Sequence, residues 1–387
     1  MQTTLNQSTS LKNLLDTDKT QRHLSIYLPT HPSSRSETIN EDSSRFKSLL
    51  KNIKNNPEQH RHDPQVHATL KYLEKLITNR MFWSKQSAGL AIFAFEDQQH
   101  IFHLPFEVTE QCFVSNKYIL SPLLAMQAIS TDLYLAEVNI KQPKLYRAAP
   151  SELQKCEDAD LPGSLEDALQ LDEFQQMQQF HTGEAHGGAM FHGHGGANDQ
   201  KDKDIHTYLR LLASKIDSYV KNSKTPLILV GTKTRTASLR KQLKYKFVAD
   251  DEITGSYDSP QEEQLLLSHA QQIINTTIDS NLKKLQSAFS SAYGNELAVA
   301  SKTAVDQAAE MDNVESLLLP MLRKTNDSIR DVSSQQYIFE LTNDLPNIED
   351  TVRACHAIKA AILPIKNKKT PSDDDVAAIC RYKVTLT

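Results

Sequence analysis

The chain has 387 residues, 39% of them hydrophobic and 24% charged, which is the composition of a globular protein of about two to three domains. The net charge is -5. Cys112, Cys156, Cys355 and Cys380 lie far apart with no paired or metal-type spacing, which argues against a disulfide scaffold or a cysteine zinc site and favours a reduced compartment. No stretch approaches the roughly 18 apolar residues of a membrane span, and the first residues lack the apolar core of a signal peptide. We therefore expect a cytoplasmic protein with no membrane partner.

Charge is unevenly distributed along the chain. Residues 151–180 carry eight acidic residues and one lysine, whereas residues 201–247 carry twelve basic and three acidic residues. The first eighty residues contain twelve basic and eight acidic residues. A protein that is mildly acidic overall therefore has basic regions that can meet a polyanion.

The first 112 residues alternate strand and helix patterns. Residues 23–28 alternate apolar and polar side chains and stop at Pro29, which predicts a strand that enters a Pro/Ser loop. Apolar residues at helical spacing follow, and then two apolar runs on either side of a polar turn. The predicted helices span 41–54 and 64–80, and the predicted strands span 89–95 and 100–104. We interpret residues 1–112 as a small α/β domain.

Residues 113–258 are interpreted as a second α/β domain. After Gly231, six basic residues occur without an acidic one as far as Lys246. Alternation of strand, loop and helix favours a mixed or parallel sheet with helices on its faces. The predicted elements are helices at 121–129 and from Asp204 onward, and strands at 133–138, 144–146 and 227–230.

Ser259, Pro260 and Glu262 have the cap, the first-turn proline and the third-position glutamate of a helix start, and apolar residues continue at helical spacing as far as Gly294. We interpret residues 259–387 as this linking helix and a third α/β domain. The expected fold class is therefore α/β, with three α/β domains. The remaining predicted elements are helices at 302–310 and 348–361 and strands at 314–319, 337–341 and 376–381.

One stretch is unlike the rest of the chain. Residues 181–196 read HTGEAHGGAMFHGHGG and contain six of the eleven glycines and four of the fourteen histidines. No Lys-Ser or Lys-Thr follows the glycines, so the stretch is not a phosphate-binding loop of the nucleotidase type. Clustered glycine indicates either a flexible tip or a backbone that must lie close to another molecule.

Two chemistries compete for this glycine-histidine loop. Imidazole ligands suit zinc, copper and nickel, but the histidine spacing matches no structural zinc pattern. We therefore favour the hypothesis that the loop binds no metal and that the protein has no cofactor. Imidazole and backbone N–H groups also contact RNA, and Phe191 can stack on a base. The residues that would ligate a metal are His181, Glu184, His186, His192 and His194.

Several motifs in the same order resemble the archaeal and eukaryotic peptide-release-factor family, with its ribosome-rescue relative Pelota and its bacterial relatives. The motifs are SIYLPTHP at 25–32, GLAIFAF at 89–95, LYLAEVNIKQPKLYRA at 133–148, the glycine loop, and PLILVG at 226–231. The resemblance implies a ribonuclease-H-type fold for the middle domain. It implies for the third domain an α/β/α fold of the kind found in ribosomal RNA-binding proteins.

The glycine loop departs from the family pattern. Release factors carry Gly-Gly-Gln, whose glutamine orients water against the peptidyl ester, whereas here Gly188 is followed by Ala189 and Gly196 by Ala197. Alanine has no amide with which to position water, so we expect no catalytic residue and no peptide release. Residues 52–55, Asn-Ile-Lys-Asn, resemble a codon-reading Asn-Ile-Lys-Ser motif that lacks its serine, and codon reading is not predicted from them.

The resemblance implies a ribosome-hibernation role, with entry into the A site of the 70S ribosome, delivery by elongation factor Tu, and no DNA partner. The alternatives left open are a peptidyl-tRNA hydrolase or rescue factor that uses a loop histidine, His192 or His194, and a metal-binding protein. The implied 23S and 16S rRNA contacts fall into three groups. They are the loop residues His186, Gly187, Gly188, Phe191, His192, Gly193, His194, Gly195 and Gly196; the basic residues Lys233, Arg235, Arg240, Lys241 and Lys244; and the decoding-centre-facing residues Arg35, Asn52, Lys54 and Arg61.

Overall fold

The structure is a computed structural model. Contacts divide the chain into two compact units, which we call the first unit (residues 1–130 together with 275–387) and the second unit (residues 131–274). The glycine-histidine loop and Arg61 lie outside the described residues. The structure describes residues 11, 13–15, 20–32, 35–55, 63–129, 132–168, 197–324, 336–366 and 375–384.

The N-terminal part of the first unit is built on a four-stranded antiparallel sheet. Its elements, in chain order, are β1 (His23–Pro29), α1 (Ser36–Asn55), α2 (Pro64–Ile77), α3 (Arg80–Trp83), β2 (Gly89–Phe95), β3 (Gln98–Leu104), β4 (Glu107–Val108), β5 (Gln111–Ser115) and α4 (Ser121–Ile129). The strand order is β3-β2-β1-β5. Leu24, Ile26 and Leu28 on one face of β1 pack with α1 and α2, because successive side chains of a strand alternate between faces. On the other face, the Tyr27 hydroxyl donates to the Ile119 carbonyl at 2.7 Å.

Helix α2 ends three residues before the predicted end at Arg80. Asn79 accepts a hydrogen bond from the Phe82 backbone N–H at 3.0 Å and starts the short helix α3. The Trp83 indole N–H then donates to the Leu76 carbonyl at 2.8 Å. A carbonyl of the last turn of α2 is thereby satisfied, so the helix can stop there.

The second unit contains a five-stranded mixed sheet. Its elements are β6 (Leu133–Glu137), β7 (Lys144–Ala149), β8 (Glu152–Lys155), α5 (Ala197–Val220), β9 (Leu227–Val230), α6 (Lys233–Arg240), β10 (Val248–Ile253) and the start of α7 (Pro260–Gly294). The strand order is β10-β9-β6-β7-β8, in which β9 is parallel to β6 and β10 and the remaining pairs are antiparallel. Tyr208, Leu212 and Ile216 on α5 pack against Ala136 and Leu229 of the sheet.

Two strands of the second unit were not predicted, because both lie at an edge of the sheet and have exposed polar residues. Strand β10 reads VADDEI and exposes Asp250 and Asp251, while β8 reads ELQK. Charged edge strands are common because they discourage pairing with other chains, but they lack apolar alternation. Helix α5 also begins before the predicted Asp204, since its first residues, ANDQKDK, contain no large apolar side chain.

The C-terminal part of the first unit is a second sheet flanked by helices. Its elements after α7 are β11 (Ala298–Val299), α8 (Lys302–Glu310), β12 (Val314–Lys324), β13 (Tyr337–Phe339), α9 (Leu345–Ala357), β14 (Ala361–Lys366) and β15 (Ala377–Cys380). The strand order is β11-β15-β12-β13-β4, with β14 paired in parallel to β12. The N-terminal segment therefore contributes strand β4 to the C-terminal sheet, with Ile338 opposite Glu107.

The predicted helix 348–361 is wrong at its end. Helix α9 stops at Ala357, and Ala361 begins strand β14 instead. Lys359 adopts a φ of 62°, the left-handed conformation that ends a helix. Glycine is the usual residue at such a position, so a lysine there gives no sequence signal.

The α/β class is confirmed, and the contacts set the boundaries of the second unit at residues 131 and 274. The sequence placed the boundaries of the central domain at 113 and 258. Helix α4 lies in the first unit, because the buried Glu349 carboxylate accepts the backbone N–H groups of Leu120 and Ser121 at 3.0 and 3.2 Å. The unit boundary at 274 falls within helix α7.

Candidate nucleic-acid interface

The described residues on both sides of the glycine-histidine loop involve helix α5. Ala168, the last described residue before the loop, is buried in the same cluster as Tyr208 and Leu212 of α5. The Tyr208 hydroxyl lies 3.0 Å from the Gly163 carbonyl, to which it donates. Helix α5 itself begins at Ala197, directly after the loop. Helix α5 therefore packs against the described chain that precedes the predicted RNA-contacting loop and is itself the element that follows it.

Further contacts hold the incoming chain against the same helix. Lys215 on α5 forms an ion pair with Asp160. The Tyr219 hydroxyl donates to Asp158 Oδ1 at 3.1 Å. Two acidic residues of the stretch before the loop, Asp158 and Asp160, therefore have partners on α5, which offset part of the negative charge there.

The predicted basic face is formed by helix α6 and the segment that follows it, which we call the basic segment (residues 233–247). Leu239 is fully buried and anchors α6 on the sheet, while Thr236 is buried beneath it. Lys233, Lys241, Lys244 and Lys246 are exposed and Arg235 is half-exposed. Among the described residues, no carboxylate lies within ion-pair distance of Lys241, Lys244 or Lys246. These cations are therefore available to an external anion.

Arg240 is engaged within the fold. Its guanidinium donates to the Ala249 carbonyl at 2.7 Å and to Glu252 Oε1 at 3.0 Å. The Thr236 hydroxyl donates to the other oxygen of Glu252 at 2.8 Å. Burial acts to raise the pKa of Glu252, but the hydrogen bonds from Thr236 and Arg240 outweigh it and lower that pKa. Arg240 thus ties α6 to strand β10, and its predicted contact with RNA stays a prediction.

The backbone of the basic segment is held by helix α5. Asp217 accepts hydrogen bonds from the backbone N–H groups of Lys244 and Tyr245, each at 3.0 Å. The Gln242 amide and the His206 imidazole lie 2.8 Å apart, nitrogen to nitrogen. These contacts use backbone N–H groups and the Gln242 amide of the segment and not its lysine side chains, so Lys241, Lys244 and Lys246 stay exposed.

Three of the predicted decoding-centre-facing residues, Arg35, Asn52 and Lys54, lie in the described part of the first unit. Asn52 and Lys54 are exposed in the last turns of α1, and Arg35 is exposed just before its start. The Lys54 ammonium lies 3.4 Å from Glu74 Oε1, with both side chains largely in solvent. Exposed pairs of this kind contribute little to stability and are easily exchanged for another partner. The structure leaves the predicted contacts of these residues as predictions.

Metal chemistry has no support in the described part of the chain. No three His, Cys, Asp or Glu side chains come together there in the manner of a metal site, and the loop histidines lie outside it. All four cysteines are free. Burial raises the pKa of the Cys112 and Cys355 thiols to about 12, so these two are unreactive structural residues. None of the described helices combines the length and the apolar character needed to cross a bilayer.

One exposed aromatic residue was not among the predicted contacts. Phe247, at the end of the basic segment, keeps 41% of its surface accessible. A lysine-rich run that ends in an aromatic residue (KYKF) was the available signal, but a sequence pattern alone does not tell whether the ring is buried.

The mixed sheet, helix α5 and the exposed lysines of the basic segment lie in one continuous part of the chain, between β6 and the start of α7. Residues 133–276 match the model of the bacterial archaeo-eukaryotic release factor family 7. That range runs from β6 into α7 and includes the whole basic segment. The resemblance expected from the sequence is thereby confirmed for this part of the chain.

Solved structures give weaker likenesses. An archaeal translation termination factor is 16% identical, covering 97% of this chain and 97% of that one, at a TM-score of 0.22. Pelota from Archaeoglobus fulgidus is 11% identical; the match covers 77% of this chain and 80% of that one, with a TM-score of 0.33. A structure described as ribosome-bound archaeal Pelota and ABCE1 is 11% identical; the match covers 77% of this chain and 78% of that one, with a TM-score of 0.37. No curated protein matches the chain.

Proposed function

We propose that this protein is a ribosome-binding factor that occupies the A site of idle 70S ribosomes and acts without catalysis. The observation that carries the proposal is the basic segment. Its lysines are exposed and, among the described residues, have no acidic partner. Asp217 holds its backbone, and the whole segment falls within the range that matches a release-factor family. Phosphate groups are the anions that such a cationic surface meets on a ribosome.

The sequence of the loop supports a role without bond cleavage. Ala189 and Ala197 follow the two Gly-Gly pairs where a release factor has glutamine, so the amide that positions water is missing. The histidine and glycine enrichment of the loop and the missing glutamine resemble Balon, a bacterial ribosome-hibernation factor of the release-factor family. The proposal therefore has the loop occupying the peptidyl-transferase centre, residues near Asn52 facing the decoding centre, and elongation factor Tu as the delivery partner.

The test is co-sedimentation of the purified protein with 70S ribosomes at a series of salt concentrations. Each phosphate contact that a lysine makes adds about one unit to the slope of log affinity against log salt concentration. Replacing Lys241 and Lys244 by alanine should therefore weaken binding and lower that slope by about two units. The matched control replaces Lys284 and Lys383, which lie outside the basic segment, and should leave the slope nearly unchanged.

Two outcomes would contradict the proposal. The first is an intact protein that stays at the top of the gradient, with or without elongation factor Tu. The second is a Lys241→Ala/Lys244→Ala variant whose binding has the same salt dependence as the intact protein.

A further inference from the structure

Phe247 is a large apolar side chain held in a fixed place at the surface. Its carbonyl accepts a hydrogen bond from the Leu227 N–H at 2.8 Å, just before strand β10 begins. The Tyr245 ring lies 5.6 Å from the Phe247 ring, centroid to centroid, at an angle of 62°. The Tyr245 hydroxyl in turn donates to the Thr225 carbonyl at 2.8 Å. The Phe247 ring is therefore supported at one side by an anchored tyrosine while 41% of its surface stays in water.

The surroundings of this ring are cationic. Lys244 and Lys246 precede Phe247 in the sequence, and the hydrogen bond from Tyr245 to the Thr225 carbonyl joins this segment to the turn that carries Lys221 and Lys224. All four lysines are exposed. Within the described chain none of them has a carboxylate at ion-pair distance. The acid beside them, Asp217, already accepts two backbone N–H groups.

We propose that Phe247 and these four lysines bind an unpaired nucleotide of RNA. The ring offers a π face for a base, and the ammonium groups offer contacts for the adjoining phosphates. A base-paired nucleotide presents phosphates but no free base face, so double-stranded RNA can use the lysines and not the ring. The ligand class is therefore single-stranded RNA, recognised by stacking with little dependence on sequence.

This inference rests on the proposed function only in taking ribosomal RNA as the source of the nucleotide. It adds Phe247, Lys221 and Lys224 to the basic residues between Lys233 and Lys246 that the sequence indicates. It also identifies unpaired nucleotides, in place of a duplex, as what this surface binds.

The experiment measures fluorescence anisotropy of a labelled single-stranded RNA of about 12 nucleotides, and of a duplex of the same length, titrated with the full chain. The Phe247→Leu variant keeps an apolar side chain without a π face and should lose roughly tenfold in affinity for the single strand, with the duplex unaffected. Phe247→Trp should retain or strengthen single-strand binding. Tyr382→Leu, at another exposed aromatic residue, is the matched control and should bind as the intact chain does.

The inference is overturned if the intact chain does not bind the single strand, or if Phe247→Leu binds it as tightly as the intact chain does. Equal losses for single strand and duplex would also overturn it, because they would reflect a change in the lysines or in the fold. Equal thermal unfolding of the intact chain and the Phe247→Leu variant excludes misfolding. The two proposals fail separately. If the intact chain does not co-sediment with ribosomes but binds single-stranded RNA more tightly than Phe247→Leu does, the proposed function is refuted and this inference stands.

Discussion

At the scale of single residues, Glu349 is a carboxylic acid in the interior of the first unit. It is fully buried in α9, and its oxygens accept the backbone N–H groups that begin helix α4. Burial raises its pKa to about 7, although these hydrogen bonds and the nearby Arg353 act to lower it. Arg353 donates to the carbonyls of Leu15 and Tyr118, so the pair joins segments from both ends of the first unit.

This pKa makes the stability of the first unit depend on pH. The folded state holds the proton of Glu349 more tightly than the unfolded chain does, so it binds more protons between the ordinary pKa of 4.5 and about 7. The contribution to the free energy of unfolding is fully present below pH 4.5 and falls by up to about 3 kcal/mol as pH rises through 7. Urea unfolding at several pH values measures it.

The comparison that isolates Glu349 is Glu349→Gln, whose neutral amide does not titrate. The difference in free energy of unfolding, intact chain minus variant, should decrease as pH rises from 5 to 7.5. Glu315→Gln, at an exposed position of β12, should follow the intact chain at every pH. Parallel pH curves for the intact chain and Glu349→Gln would show that Glu349 does not titrate in this range.

At the scale of elements, helix α7 shows how local sequence sets a boundary. The Ser259 hydroxyl accepts from the Glu262 N–H at 3.3 Å, and Glu262 Oε2 accepts from the Ser259 N–H at 2.8 Å. This reciprocal pair satisfies two of the N–H groups that a helix start leaves without partners. The helix then runs for 35 residues, from Pro260 to Gly294.

Removing this cap should destabilise the start of the helix. We expect Ser259→Ala to lower the free energy of unfolding by about 1 kcal/mol, because the Glu262 N–H loses its acceptor. Ser268→Ala is the matched control. The Ser268 hydroxyl only donates to the Gln264 carbonyl within the helix, so its loss should be neutral or slightly stabilising. Equal effects of the two substitutions in urea unfolding would refute the role of the cap.

At the scale of the whole molecule, the question is whether the protein breaks a bond. The intact chain, incubated with ribosomes that carry radiolabelled peptidyl-tRNA, should release no more peptide than ribosomes alone, because the loop lacks the glutamine that positions water. Release above background would contradict the non-catalytic proposal. Its loss in His192→Ala or His194→Ala would then assign the chemistry to a loop histidine.

Much of the architecture was predictable from the sequence wherever an element carries its own signal. Strand β1, helix α4, strand β9 and helices α7 and α8 lie where periodicity, proline and capping residues put them, because these signals act over a few neighbouring residues. The lysines of the basic segment were also found in this way, since an unbroken run of one charge is visible without a structure.

The tertiary structure decided what depends on residues far apart in the chain. It pairs β4 with β13, which lie more than two hundred residues apart, and it caps α4 with Glu349. It also pairs Arg240 with Glu252, while Lys241 and Lys244 stay exposed. The sequence by itself determined the composition, the local elements and the family resemblance. A basic side chain is hydrogen-bonded within the fold only where packing brings an acceptor to it, and otherwise it faces solvent. The sequence alone does not show which of the two applies.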